Sequence, residues 1–204
     1  MNRLGCAVLA AGASRRLGCP KQLLPFKGNE LVRHLALEAL FSQANEVAVV
    51  VGAHGERVAT AVAGLPATCV VNLEWREGIA SSIRCAAHWA NRQHLDALIL
   101  VLCDQPYLES SHLDRLAAEH AAGANIVASR YRGVIGVPAL FAATAFNLLF
   151  TLKGDAGAGT LLRQRPSIPS IEWPAGEVDI DTHHDLASMF GSPALPSLDQ
   201  MASA

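Results

Sequence analysis

The sequence predicts an α/β domain of three layers, a mainly parallel sheet with helices packed on both faces. Three observations carry that expectation. Strand-like and helix-like patterns alternate from residue 4 to residue 128, the rhythm of β-α-β units. The runs Glu46 to Val51 and Ala97 to Leu102 are apolar without alternation, as strands covered on both faces are. The first strand also runs directly into a turn of small residues followed by cations.

Taken in order, Leu4 to Leu9 is the first strand, and Leu31 to Phe41 reads as a helix whose leucines cover one face. Glu46 to Val51 is a strand ended by Gly52, and Arg57 to Ala63 a helix ended by Gly64-Leu65-Pro66. Thr68 to Val71 is a short strand, Ile79 to Trp89 a helix, and Ala97 to Leu102 the most hydrophobic strand of the chain. Leu113 to His120 reads as a helix capped by Ser110 or Ser111 and stopped at Gly123; Ile126 to Ala128 is a further strand. Beyond residue 130 the alternation weakens. Tyr131 to Pro138 reads as a glycine- and proline-broken loop, and Pro138 to Leu152 as a helix.

At 204 residues the chain suits one domain with a filled core. We place that domain at residues 1–191 and expect 192–204, with Pro193, Pro196 and no periodicity, to be a disordered tail. A formal net charge of −2 argues against nucleic acid as partner, so any anionic ligand must be held by local charge. The five cysteines are scattered without a CxxC pair, which argues against a disulfide framework or a structural zinc site. Met1-Asn2-Arg3-Leu4 opens no apolar signal region and no run is long enough to span a bilayer, so no membrane association and a soluble, cytoplasmic protein are expected.

Four places carry candidate chemistry. Small residues at Ala10, Ala11, Gly12 and Ala13 let a backbone approach a ligand closely, and Arg15, Arg16 and Lys21 can neutralise an anion there. The glycine spacing is neither a Walker A loop nor a dinucleotide fingerprint, and a plain turn with solvated arginines is the alternative. Asp104 ends the buried strand Ala97 to Leu102; such a carboxylate suits a divalent cation, or caps the turn at Pro106. Ser81 and Ser82 fall in the first turn of the helix after Gly78, where unpaired N–H groups favour an anion; capping is again the simpler role. Asp181 precedes a helix-like start and reads equally as a metal ligand or an N-cap. Cys103 is read as core filler, not as a nucleophile.

Six stretches of the chain resemble one family. Leu9-Ala-Ala-Gly-Ala-Ser-Arg-Arg16-Leu-Gly with Lys21 and Leu23-Leu24-Pro25 is similar to LAAGxSxRMGxxKxLLP. Asn72 to Ile83 resembles NxxWxxGMxSSL, and Cys103 to Leu108 matches CDQPxL at every fixed position. Tyr131 to Phe141 resembles YxGxxGxPxLF, and Val178 to Leu186 resembles DIDTPEDL. Lys153 to Gly159 is similar to GDxGAR, with Gly159 where the arginine would stand and Arg163 as a substitute cation. These are signatures of molybdenum cofactor cytidylyltransferases and their MobA-like relatives.

That resemblance implies a Rossmann-like, GT-A type nucleotidyltransferase fold, CTP as donor and Mg²⁺ or Mn²⁺ as cofactor. It places Leu9, Ala10, Ala11 and Gly12 with Arg16, Lys21, Asn72, Ser81 and Ser82 against the substrates, Arg16, Lys21 and Asp104 in catalysis, and Asp104 with Asp181 on the metal. Ala-Ala-Gly at 10–12 is the cytidylyl form. The acceptor would be the terminal phosphate of the molybdenum pterin cofactor, with a molybdenum hydroxylase-type enzyme as recipient of the product. Two other functions stay open on the residues: a nucleotidyltransferase using GTP or another phosphate acceptor, and a non-catalytic carrier of nucleotide-bearing cofactor.

Overall fold

A computed structural model describes residues 3–180. Asp181, the segment 192–204 and the boundary at residue 191 lie outside the described residues. The first strand, β1 (Leu4–Ala10), leads into a 3-10 turn at Lys21–Leu23 and a small hairpin, β2 (Pro25–Phe26) and β3 (Asn29–Glu30). Then follow α1 (Leu31–Phe41), β4 (Glu46–Val51), α2 (Gly55–Ala61), β5 (Thr68–Val71), α3 (Ile79–Arg92) and β6 (Ala97–Leu102). The remainder is α4 (Ser110–Ala121), β7 (Ile126–Tyr131), β8 (Val134–Ala142), α5 (Phe146–Phe150), α6 (Ala158–Arg163) and β9 (Ser170–Glu172).

Among the described residues, seven strands form one sheet in the order β5-β4-β1-β6-β8-β7-β9. β1 lies at its heart, parallel to β4 on one side and β6 on the other. Side chains alternate across a strand, so Cys6, Val8 and Ala10 pack against α1 and α4 on one face while Ala7 and Leu9 pack against α3 and α5 on the other. Both faces are thereby dry, and each fully buried Leu such as Leu35 or Leu100 contributes about 1.5–3 kcal/mol. This is the predicted three-layer arrangement.

The largest departure from the sequence-based expectations lies between residues 131 and 152. Residues 134–142 are not a loop running into a helix but the nine-residue strand β8, antiparallel to both β6 and β7. A short apolar run without polar punctuation does not distinguish a buried strand from a buried helix, and here pairing on both sides selects the strand. Arg132 and Gly133 have φ of 49° and 71°, the conformation of a two-residue hairpin turn, so the glycine there makes a turn between strands. Pro138 is tolerated because the ladder shifts register beside it, passing from Ala128↔Ala139 to Ser129↔Gly136. Gly136 lies against the Tyr131 ring and does not open toward a ligand. The helix expected to reach from 138 to 152 shrinks to α5 after a short 3-10 turn.

Helix α4 is a smaller correction. It starts at Ser110, and no side chain of its own caps it. Glu38 from α1 supplies the missing acceptor, taking the Ser110 N–H at 2.8 Å. A tertiary carboxylate thus does what a local serine was expected to do.

Candidate active site

Strands β1 and β6 end side by side, with Leu9 beside Leu102, so the loops that follow them share one opening. Open parallel sheets bind ligands at the carboxyl edge where the strand order switches, here between β1 and β6. The connections from the two strands leave in opposite directions there and open a crevice. The opening is a pocket of about 450 Å³, of a size that takes small molecules. Leu9 and residues 11–17 line one side, with Lys21 and Gln22; Trp75 to Ile79 and Ser82 line another; Leu102, Cys103, Asp104, Asp155 and Ile180 complete it.

The loop after β1 brings Arg15, Arg16 and Lys21 to this wall, as the spacing suggested. It does so through a tight turn: Ser14 has φ 51° and its carbonyl accepts the N–H groups of Leu17 and Gly18. Lys21 Nζ stands 3.0 Å from Asp104 Oδ2 and also donates to the Ile180 carbonyl at 3.2 Å. Residues 83 positions apart in sequence therefore meet, both about four-fifths buried. The pair offsets the desolvation each charge would otherwise suffer.

The other wall is fastened from behind. Gly78 has φ 126°, and a Cβ there would land on the Gly154 carbonyl and the Asp155 carboxylate, so the 153–157 loop presses directly against the start of α3. Glu77 accepts from Arg84 at 2.9 Å and from the Gly154 N–H at 3.0 Å, while Arg84 also donates to the Leu152 carbonyl. The Arg84 hydrogen bond, and then that of Gly154, hold the Glu77 carboxyl down at about 2. The Arg76 guanidinium lies 4.3 Å from the Trp75 ring centre.

Not every expected residue faces the opening. Among the described residues, Ala10, Asn72 and Ser81 sit behind it, each about 1 % exposed. The Asn72 amide donates to Ser81 Oγ at 2.8 Å and Ser82 Oγ at 3.0 Å, and its oxygen accepts the Glu74 N–H. Asn72 thus braces the turn before α3, a role its sequence position does not reveal. Ser82 reaches the pocket, but the Ala80 N–H of that helix start is occupied by the Gly154 carbonyl. The first turn is consequently less open to an anion than unpaired amides would make it. Arg163 folds back over Gly159 and bonds Thr160 instead of lining the pocket. Cys103 is 4 % exposed; burial and then the Asp104 charge push its thiol well above the usual range, which suits packing and not attack.

The sequence reading did not single out Gln22, Arg76, Arg84 or Ile180. Gln22 works through hydrogen bonds to backbone carbonyls and Arg84 through the Glu77 carboxylate and the Leu152 carbonyl, contacts that leave no spacing signature. Asp155 was visible within the 153–159 stretch but not as a pocket residue.

Residues 6–168 match the model of the MobA-like NTP transferase domain. The chain belongs to that family. It is a nucleotidyltransferase. It is 34 % identical over 191 residues to nicotine blue oxidoreductase of Paenarthrobacter nicotinovorans, covering 86 % of this chain and 90 % of that protein. It is 31 % identical over 164 residues to the purine catabolism protein PucB of Bacillus subtilis, covering 76 % and 78 %. Its fold is similar to that of Mycobacterium tuberculosis Rv0371c solved in complex with manganese, with TM-score 0.73, 26 % identity and coverage of 94 % and 100 %. Among the described residues of this transferase no helix is long and apolar enough to cross a membrane.

Proposed function

We propose that this protein transfers CMP from CTP to the terminal phosphate of a molybdenum pterin cofactor, with a molybdenum hydroxylase-type enzyme as the eventual recipient. One observation carries the reading most: a loop with three cations and a strand-end aspartate converge on a single pocket, joined by the Lys21–Asp104 contact. A polyphosphate needs that combination, since its negative charge must be met by fixed cations and by a metal held on the protein.

The donor set fits a hard cation. Mg²⁺ takes one or two carboxylates and fills its remaining positions with water and phosphate oxygens. Asp104 offers one carboxylate to the pocket and Asp155 lines it as well. The manganese complex of the mycobacterial neighbour supports a divalent cation in this fold. When bound at Asp104, the ion would offset charge on the reacting phosphates.

The residues of the chain do the rest by position and charge. An oxygen of the acceptor phosphate forms a bond to the α-phosphorus of CTP as the bond to the β-phosphate bridge breaks, and pyrophosphate leaves with the electron pair. Arg15, Arg16 and Lys21 hold the β and γ phosphates and stabilise that leaving group. In doing so Lys21 exchanges Asp104 for a phosphate oxygen, which releases the carboxylate for the cation. An acceptor that is already an ionised phosphate needs no general base.

The test is pyrophosphate release with Mg²⁺ and each of CTP, GTP, ATP and UTP, with and without molybdenum cofactor. Release from CTP only with cofactor present supports the reading. Release with another acceptor or nucleotide redirects it to a different nucleotidyl transfer. Binding without release, or oxidoreduction of nicotine blue, the activity in the name of the Paenarthrobacter relative, overturns it.

A further inference from the structure

Gln22 follows Lys21 directly and is 2 % exposed, yet its carboxamide is the polar hub of the cationic loop. Its Nε2 donates both protons backwards along the chain, to the Ala10 carbonyl at 3.0 Å and the Gly12 carbonyl at 2.6 Å. Its Oε1 lies 3.4 Å from Ser14 Oγ, and the same hydroxyl accepts the Lys21 N–H at 3.1 Å. Between those two carbonyls, the Ala11 carbonyl is held from the β4 side by the Ala53 N–H at 3.0 Å. Three successive peptide planes are thereby fixed. Because a trans peptide points its N–H opposite to its carbonyl, fixing the Gly12 carbonyl also fixes the direction of the Ala13 N–H. Gly12, Ala13 and Ser14 all line the pocket, so the fixed planes are those a phosphate would meet.

We infer that Gln22 is the positioning residue of the phosphate loop: its carboxamide sets the peptide planes that follow Ala10 and Gly12, and through Ser14 the start of the Lys21 turn, in the arrangement that receives the leaving pyrophosphate. This rests on the reading that the loop holds phosphates. A side chain able to donate twice and accept once is needed, and at this length only glutamine does so without charge. Gln22 therefore acts on affinity for the phosphate end of the nucleotide and not on the pocket as a whole. Gating by a lid or a general contribution to folding would act on both ends alike.

The experiment measures binding of inorganic pyrophosphate and of CMP, each with Mg²⁺, by titration calorimetry below the thermal midpoint of each variant. Gln22→Met keeps the length and apolar volume but loses both donors. It is expected to weaken pyrophosphate about tenfold or more while CMP stays within about twofold, on the scale of one or two lost preorganised groups. Ser14→Ala loosens the same hub from its other end and is expected to weaken pyrophosphate about threefold; it carries the test if Gln22→Met does not fold. Unchanged pyrophosphate affinity, or equal weakening of pyrophosphate and CMP, overturns the inference and leaves the phosphate reading standing. A parent protein that binds neither pyrophosphate nor CTP overturns the reading itself, and the inference with it.

Discussion

The parallel half of the sheet, β5-β4-β1-β6, and the half built from β8, β7 and β9 differ in what their strand ends do. In the first, β1 and β6 end at the pocket and the segment after β5 becomes its Trp75–Ile79 wall. In the second, none of residues 126–142 lines the pocket. This half instead buttresses the site. Gln105, next to Asp104, donates to the Val137 carbonyl at 3.0 Å, and the Ile180 N–H donates to the Asp104 carbonyl at 3.0 Å. Of the three strands only β8 is reversed, so its own C-terminal end points away from the pocket edge, while the β7–β8 turn at 132–133 lies at that edge but outside the pocket lining.

If that division holds, substitutions in the two halves separate chemistry from stability. The largest expected effect is on chemistry. Asp104→Asn keeps the size of the side chain and removes its charge, and turnover at saturating Mg²⁺ should fall on the order of 10²-fold or more. A variant within a factor of a few of the parent would falsify the assignment of the metal to Asp104.

The second effect is on stability and belongs to the supporting half. His112 is 3 % exposed, its ring stacked on Trp173 at 4.9 Å and its Nε2 2.7 Å from Ser129 Oγ. The Ser129 hydroxyl donates to the Pro138 carbonyl, so the histidine donates to Ser129 in its neutral form. Burial, and then the nearby Arg115 charge, lower its pKa from 6.5 to about 4. Between those values the unfolded chain binds a proton that the folded one does not, so stability falls as pH drops from 6.5 to 4 and levels off below. At about 1.4 kcal/mol per pH unit the loss reaches on the order of 3 kcal/mol. Urea midpoints measured across this range should fall for the parent and flatten for His112→Leu. Glu77, on the pocket side, behaves in the opposite window. Its contribution is full above 4.5 and is lost only as pH approaches about 2, so the β7–β8 half should loosen first on acidification.

Gly78→Ala crosses the division. At φ 126°, with the Gly154 carbonyl where the methyl would sit, the substitution should cost about 1–3 kcal/mol. Because the displaced segment is a pocket wall, the thermal midpoint and turnover should fall together. In contrast, Gly176→Ala in the supporting half meets the Trp173 ring, and is expected to lower the midpoint while leaving turnover of the folded enzyme unchanged.

Ala11→Gly should have the smallest effect. Ala11 is 2 % exposed, and its Cβ packs against Gly52, where any added methyl would come within 2.8 Å of it. Its methyl therefore sets how closely the loop approaches the end of β4. A change of a few-fold in the CTP to GTP rate ratio is expected, and an unchanged ratio would separate base selection from this contact.

What could be read without coordinates follows from local rules. The β-α rhythm up to residue 128 declares itself because strands buried on both faces and amphipathic helices have distinct periods. The cations at 15, 16 and 21 and the aspartate at 104 could be named because strand-end position is a property of the sequence. Three matters were left to tertiary structure. β8 became a strand because β6 and β7 offered it partners on both sides, which no window of residues 134–142 contains. Asn72 and Ser81 turned inward because each found a polar partner behind the wall, and a satisfied amide has no reason to face solvent. Lys21 met Asp104, and Gln22 the carbonyls of its own loop, only once the chain had folded back on itself. Composition and spacing determine which groups a protein possesses; the directions of their hydrogen bonds are set by packing, because each depends on a partner that the local sequence does not name.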